Sequence, residues 1–137
     1  MNGLSGNPDS PLIGDAASLL REAAAHFNKQ EFRAAATICL KLVDSHPDLG
    51  EAWHILGRIG VETSDFTNAV ASLARAASLE PENIAIRFSL AQTLDKAAQP
   101  ERALAAWRAY AQLAPEDHVA QMRIATTLHK QGGVSSP

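Results

Sequence analysis

The sequence has few aromatic residues, one cysteine and no long apolar run. Aromatic side chains make up 5% of its 137 residues, so a core must be built mainly from Ala, Leu, Ile and Val. A single cysteine excludes a disulfide within the chain and predicts a reducing compartment. No window approaches about 18 consecutive apolar residues, as a membrane-spanning helix requires. The polar N-terminus lacks the pattern of a secretory signal. We therefore expect a cytoplasmic protein that does not bind a membrane.

The charge balance is mildly acidic, with 12 Lys and Arg against 15 Asp and Glu. Domains that bind nucleic acid usually carry a clear basic excess, so this balance argues against a nucleic-acid partner. The length and the 46% hydrophobic content are typical of one folded domain.

The spacing of apolar residues is helical almost throughout, and the breaks in it are regular. Short polar turns alternate with turns centred on Pro47, Pro81 and Pro115, which are 34 residues apart. A fixed period of this size is typical of a helical repeat array. Helices are predicted at 15–28, 31–45, 49–63, 65–79, 83–97, 100–113 and 117–131.

These helices form three repeats, at about 16–49, 50–83 and 84–117, followed by a capping helix at 117–131. Asp15 is the predicted N-cap of the first helix. Residues 1–14 contain Gly and Pro and few apolar side chains, so a flexible tail is expected there. A second flexible tail is expected at 132–137, because the glycine pair at its start should end the last helix.

The second repeat closely resembles the tetratricopeptide repeat (TPR) pattern. That pattern runs W-x₂-L-G, then A-x₃-F, then P, and it is matched here by Trp53, Leu56, Gly57, Ala69, Leu73 and Pro81. In the third repeat Arg87 replaces the tryptophan, whereas Leu90, Ala91, Ala103, Trp107 and Pro115 fall on family positions. The first repeat is looser. The resemblance covers about residues 16–131 and implies an all-α, right-handed solenoid of about seven helices in antiparallel pairs.

Side-chain size supports this interpretation. Small residues recur where paired helices would press together, at Ala23, Gly57 and Ala91 on the first helix of each pair. Small side chains let helix axes approach to the short end of the usual range of about 8–10 Å. Cys39 and Trp107 fall at the large core position of the second helix, which predicts an inert, buried thiol at Cys39.

No pattern in the chain predicts catalysis or a cofactor. The five histidines include no i, i+4 pair and no H-E-x-x-H, and a single cysteine argues against a zinc site. The "GRIG" stretch at 57–60 lacks the spacing of a phosphate loop, and helix packing explains Gly57. We therefore expect a chain that is not an enzyme by itself and holds no metal.

The TPR resemblance implies a concave groove, lined by the first helix of each pair, that binds a peptide or helix of another protein. The family's inward positions, carried over residue by residue, are Leu20, Arg21, Ala24, Phe27, Glu51, His54, Ile55, Arg58, Glu62, Phe88, Ser89, Gln92, Asp95, Lys96, Val119, Met122, Arg123, Thr126, His129 and Lys130. Among them, the predicted partner-binding residues are His54, Arg58, Phe88, Gln92, Lys96, Met122, Arg123 and Lys130. Leu20 belongs to the same stripe as His54, Phe88 and Met122, and this stripe is mostly apolar. The groove leans basic, which predicts an acidic segment with one or two apolar anchors. The alternative is a stripe used for packing beneath a solvated charged face.

An adaptor or chaperone-like scaffold is the role that such a groove favours, and it has alternatives. The carboxylate clamp of TPR co-chaperones is absent, because its positions hold Leu20, Ala24, Ile55, Ala85 and Ser89. The Ala-rich repeats also look like arrays that precede bacterial glycosyl-, sulfo- or methyltransferase domains, so a substrate-recruiting module is the alternative function. Weak self-association through the last helix is a further expectation, because Ile124 and Leu128 would normally face a helix that is missing.

Overall fold

The computed structural model describes residues 15–135, with side chains described through Lys130. This part of the chain forms seven helices and no strand: α1 Ala17–Asn28, α2 Phe32–Ser45, α3 Gly50–Glu62, α4 Phe66–Leu79, α5 Ile84–Lys96, α6 Pro100–Leu113 and α7 His118–Ser135. The predicted all-α class with about seven helices is confirmed. The tail predicted at residues 1–14 lies outside the described residues.

The predicted boundaries of α1 to α6 agree with the structure to within two residues. The predicted N-cap at Asp15 is wrong. The cap position falls on Ala16, whose φ of −68° and ψ of −41° are already helical. A side-chain cap requires a non-helical backbone at the cap residue, and α1 therefore begins without one. In contrast, Asp65 and Asn83 accept hydrogen bonds from the backbone N–H groups of Asn68 (3.3 Å) and Ile86 (3.2 Å) and so cap α4 and α5.

The C-terminal end of the last helix also differs from the prediction. The sequence predicted a helix that ends at 131 and a tail at 132–137, but α7 continues to Ser135 and includes Gly132 and Gly133. Glycine is disfavoured in a helix by only about 1 kcal/mol relative to alanine, so two glycines lower helix stability without forbidding the last turn. Residues 136 and 137 lie outside the described part.

The helices stack as a series of antiparallel pairs. Each helix packs mainly against its neighbours in sequence, and α3 also touches α1 and α5. The even-numbered helices show no comparable packing on one another within residues 15–135. α1, α3 and α5 therefore line the narrower, concave face, and α7 continues it through Arg123, which approaches Asp95 on α5. The even-numbered helices spread over the wider outer face. This is the curvature expected of a stack of helix pairs.

The proline turns repeat one hydrogen bond with two different side chains. The indole Nε1 of Trp53 donates to the carbonyl oxygen of Pro47 at 2.8 Å. One repeat later, Nε of Arg87 donates to the carbonyl oxygen of Pro81 at 2.9 Å. Arg87, which departs from the TPR pattern in sequence, therefore ties its helix to the preceding proline turn as Trp53 does.

The turns within each pair repeat a backbone conformation instead. Gln30, Ser64 and Ala98 have φ values of 64°, 60° and 58°, in the left-handed region, and they too lie 34 residues apart. Left-handed geometry costs a non-glycine residue roughly 1–2 kcal/mol. The turns accept this cost because one such residue reverses the chain tightly enough to pair the helices.

The core combines small residues on packed helix faces with a few large side chains. Ala23, Ala35, Ala69, Ala91 and Ala103 have no exposed surface. A β-carbon at Gly57 would collide with the side chain of Leu73, which confirms the packing role predicted for this glycine.

The third repeat has an aromatic cluster of Phe88, Trp107 and Tyr110. The Trp107 ring lies edge-on to Phe88 at 5.4 Å and to Tyr110 at 5.9 Å between centroids. The hydroxyl of Tyr110 donates to Asp117, which lowers the pKa of that carboxyl, and Asp117 also accepts from the Val119 N–H at 2.9 Å. The cluster therefore positions the start of α7 on α6.

Candidate functional site

The concave face has a pocket of about 450 Å³ between α1 and α3. Its mouth is open to solvent. Apart from Ala17, every lining residue belongs to a position predicted to face the groove. The lining residues are Ala17, Leu20, Arg21, Ala24, Glu51, His54, Ile55 and Arg58. We call this set the N-terminal pocket.

Arg58 is held at the edge of the N-terminal pocket by an aromatic ring. Its guanidinium carbon lies 4.4 Å from the centroid of the Phe27 ring on α1. An arginine over an aromatic face gains a cation–π attraction and keeps its hydrogen-bond donors available at the ring edge. Arg58 is exposed, so this stacking orients a cation toward solvent above an apolar floor.

His54 connects the N-terminal pocket to the middle of the groove. Its Nε2 lies 3.5 Å from Oγ of Ser89 on α5. Burial lowers the pKa of His54, the nearby Arg58 guanidinium lowers it further, and Glu80 acts weakly in the opposite direction. His54 is therefore neutral at pH 7 and offers a hydrogen-bonding ring rather than a charge.

A second pocket, of about 320 Å³, lies between α5 and α7. We call it the C-terminal pocket, and it is polar where the first is largely apolar. Its lining residues are Gln92, Asp95, Lys96, Arg123, Thr126, Thr127 and Lys130. Four of the eight predicted partner-binding residues meet here.

The one carboxylate in the C-terminal pocket is partly engaged. Oδ2 of Asp95 accepts from the indole Nε1 of Trp107 at 2.9 Å and lies 3.8 Å from Nη1 of Arg123. Asp95 therefore anchors the aromatic core and one cation at once. Lys96 and Lys130 are exposed, and neither has a carboxylate within 4.0 Å among the described side chains.

The remaining two predicted residues lie between or beside the pockets. Phe88 is half-buried and packs on Trp107 and Tyr110, so much of its ring belongs to the core. Met122 is 67% exposed and lines neither pocket. The predicted stripe is thus recessed at Leu20, His54 and Phe88 and protrudes at Met122.

Two pocket-lining residues were absent from the sequence prediction. Ala17 lines the N-terminal pocket, and Thr127 lines the C-terminal pocket while its hydroxyl donates to the Arg123 carbonyl oxygen at 2.9 Å. Neither carries a charge or a motif that would have identified it, because small residues join a pocket only through the packing around them.

Cys39 and the last helix bear on two further predictions. Cys39 has no exposed surface, and burial raises the pKa of its thiol to about 12, which confirms the buried position.

Ile124 packs partly against the core, whereas Leu128 is 43% exposed. The apolar face predicted for self-association is therefore smaller than expected, and self-association stays a prediction.

Neither a metal-binding cluster nor a membrane-spanning helix is found among the described residues. Within them, no group of three or more His, Cys, Asp or Glu side chains is placed to hold a metal ion. No helix between residues 15 and 135 combines the length and apolar character needed to cross a membrane.

Known structures share this fold. A mutant O-GlcNAc transferase of Thermobaculum terrenum is 28% identical over 85% of the chain, with a TM-score of 0.71. The chain spans only 23% of that transferase. YrrB, described as a TPR protein with an unusual peptide-binding site, is 21% identical, with a TM-score of 0.79; the match covers 88% of this chain and 62% of YrrB. MamA is 20% identical, with a TM-score of 0.78, over 90% of this chain and 69% of MamA.

No curated protein sequence matches the chain significantly. A family model does, and it spans nearly the whole described region. The model represents the TPR domain of cytochrome c-type biogenesis protein H, and it matches residues 16–132. The repeat period, the seven helices and this match agree: the chain belongs to the TPR proteins, in the family of cytochrome c-type biogenesis protein H TPR domains.

Proposed function

We propose that this chain is a non-catalytic interaction module whose concave groove binds a peptide or helical segment of another protein. The observation that carries the proposal is the pair of pockets on one face, one between α1 and α3 and one between α5 and α7. All but one of the residues that line each pocket occupy positions that the TPR resemblance places on the inner face, the exceptions being Ala17 and Thr127.

The pockets also favour a ligand chemistry. Leu20, Ile55 and Ala24 give the N-terminal pocket an apolar floor that suits an aliphatic or aromatic anchor. Exposed cations lie along both pockets, and they are Arg21, Arg58, Lys96, Arg123 and Lys130. An acidic segment with an apolar residue at one end matches both features, and its charge would speed association.

A binding comparison tests this proposal. Labelled peptides with Leu anchors and Glu elsewhere, and the same peptides with Lys in place of Glu, are titrated with the full chain by fluorescence anisotropy. The acidic set is expected to bind more tightly, with an affinity that falls as salt rises. Equal affinity for the acidic and the basic sets would contradict the charge complementarity.

Arg58 provides the matched variants. Arg58→Glu is expected to weaken binding of the acidic peptide about three- to tenfold, the scale of reversing one exposed ion pair. Arg58→Lys keeps the charge and removes the planar group stacked on Phe27, so it should weaken binding less. Arg108→Glu, an exposed change on α6 outside both pockets, is the control. An unchanged affinity in Arg58→Glu would place the binding site elsewhere.

A second candidate is a substrate-recruiting array of a transferase. The 28% identity to the O-GlcNAc transferase, which the chain matches over 23% of that protein's length, favours it. An open reading frame that continues past Pro137 into a catalytic domain would support this candidate. A stop codon there, with no transferase among proteins that co-purify with the chain, would count against it.

The matched family also points to the cellular process in which the chain would act. It favours a partner among the proteins of cytochrome c biogenesis. Co-purification of the full chain from cells, followed by mass spectrometry, tests this with Arg58→Glu as the control. Fractionation of the same cells tests the cytoplasmic location, which stays a prediction.

A further inference from the structure

A third concavity opens on the outer side of the stack, between α2 and α4, with α3 as its floor. Its volume is about 610 Å³, larger than either concave pocket, and it shares no residue with them. We call it the outer groove. The residues that line it are Ala36, Leu40, Trp53, Leu56, Ile59, Gly60, Thr63, Asp65, Asn68, Ala71, Ser72 and Arg75.

The next repeat shows how the same space is filled elsewhere in the molecule. The positions 34 residues after Ala36 and Gly60 are Val70 and Leu94, which are 4% and 2% exposed and belong to one core cluster. Between α4 and α6 the chain's own aliphatic side chains therefore occupy this space. Between α2 and α4 the equivalent side chains are only the methyl group of Ala36 and the hydrogen of Gly60, so the groove stays open.

The glycine in the floor cannot be enlarged to close the groove. A β-carbon at Gly60 would lie 2.8 Å from the β-carbon of Ala69 and 3.0 Å from its backbone nitrogen. Such distances require the backbone of α4 to move. The close approach of α3 and α4 thus requires glycine here and leaves the space above it empty.

The two rims of the outer groove differ in polarity. Leu40 on α2 is 57% exposed, a large apolar side chain presented to solvent. On α4, Asn68, Ser72 and Arg75 form a polar rim. Asp65 at one end is already satisfied, because it accepts from the backbone and side-chain nitrogens of Asn68. Arg75 at the other end is exposed and has no carboxylate within 4.0 Å among the described side chains.

We propose that the outer groove docks an amphipathic helix of a second partner protein, separate from the ligand of the concave face. Its apolar side would carry two aliphatic residues, three or four positions apart, in the space that Val70 and Leu94 fill in the next repeat. An acidic residue about one turn away would pair with Arg75. Helices bind grooves between helices by inserting such a ridge of side chains.

A designed peptide of this chemistry tests the proposal, and the natural partner need not be identified first. The probe is a labelled, helix-stapled 15-residue peptide with Leu at two positions four apart and Glu one turn later, on an Ala and Gln background. Peptides with Ser for Leu, or Lys for Glu, are the controls. The full chain is expected to bind the probe in preference to both, and amide chemical shifts should move at Leu40, Ala71 and Ser72 rather than at Ile55 and Arg58.

Two variants locate the binding in the outer groove. Ala36→Val copies the side chain found at Val70 and should weaken binding of the probe about tenfold by occupying the space. Arg75→Glu should weaken it about three- to tenfold and reverse the preference toward the Lys peptide. Ala105→Val and Arg108→Glu, exposed changes on α6, are the matched controls. Thermal melts confirm that all variants fold.

Four outcomes would overturn the proposal. The first is no preference for the probe over the Ser peptide, and the second is unchanged affinity in Ala36→Val. The third is a dimer in sedimentation that Ala36→Val abolishes, which assigns the groove to a second copy. The fourth is binding only after deletion of residues 1–14, which assigns it to the chain's own N-terminus. The variants keep this test apart from that of the concave groove, because Arg58 lies outside the outer groove, whereas Ala36 and Arg75 lie outside both concave pockets.

Discussion

The second and third helix pairs have the same architecture but pack differently. In the second pair, Gly57 on α3 faces Leu73 on α4. In the third pair, the matching positions are Ala91 and Trp107, both without exposed surface. The glycines allow α3 and α4 to pack more extensively than α5 and α6 do. The third pair is instead filled by the aromatic cluster.

Close backbone approach and large side chains are therefore alternative ways to stabilise one repeat. Close approach leaves less side-chain volume at the outer surface, and the outer groove opens beside the second pair. Beside the third pair, large side chains fill the equivalent space, where Val70 of α4 and Leu94 of α5 are buried with Trp107. A change that removes volume from either pair tests the comparison directly.

Trp107→Ala should have the largest effect. It removes a fully buried ring, two edge-on aromatic contacts and the hydrogen bond to Asp95, and it should lower the free energy of unfolding by about 3–5 kcal/mol. Leu73→Ala at the matching position of the second pair should cost about 2–4 kcal/mol. Urea unfolding followed by circular dichroism measures both. A larger loss in Leu73→Ala would show that the second pair depends more on its central side chain than the third pair depends on Trp107.

Exchanging glycine and alanine at the equivalent positions 57 and 91 should have a smaller effect. Both substitutions should lower the free energy of unfolding. Gly57→Ala would place a β-carbon against Leu73, and this crowding outweighs the gain in helix propensity, so we expect a net loss of about 1–2 kcal/mol. Ala91→Gly loses about 1 kcal/mol, because glycine is the weaker helix former. The same unfolding measurement applies. A more stable Gly57→Ala protein would refute the requirement for glycine between α3 and α4.

The smallest effect should be on the pH dependence of stability. It concerns one equivalent position, which holds His54 in the second pair and Phe88 in the third. The folded state lowers the pKa of His54 below its ordinary value of 6.5, chiefly by burial. The unfolded chain therefore takes up a proton first, and stability should fall as pH drops below about 6.5. His54→Phe, which copies the third pair, should remove this part of the loss. Unfolding at pH 7.5 and 5.5 in both proteins measures the difference, and equal losses would exclude His54 as the source.

Much of the fold followed from the sequence, because the repeat period and the proline turns are local features. The boundaries of α1 to α6 and the packing role of Gly57 were predicted correctly. Asp15 was not, because its capping role depends on where the backbone of α1 becomes helical. Arg87 departs from the TPR pattern in sequence, yet it makes a hydrogen bond equivalent to that of Trp53. Each side chain carries an N–H that reaches the carbonyl oxygen of the preceding proline.

The candidate site was predictable in part. The helix positions that face the groove repeat with the period, so Arg58, Lys96 and Arg123 could be placed beside a pocket from sequence. The division of the groove into an apolar and a polar pocket could not. It arises from packing: Phe88, which lies on the same face, lines neither pocket and packs its ring on Trp107 and Tyr110 of α6.

The period, the helix pairing and the basic character of the concave face could all be derived from the amino-acid sequence, because each arises from residue types at fixed intervals. Which of these intervals leave open space between the helices depends on packing in three dimensions. Gly60 and Leu94 hold the same position in their repeats, and both lie in well-packed helices. One borders an open groove and the other fills its equivalent, because the space between helices depends on the side chains of all its walls together.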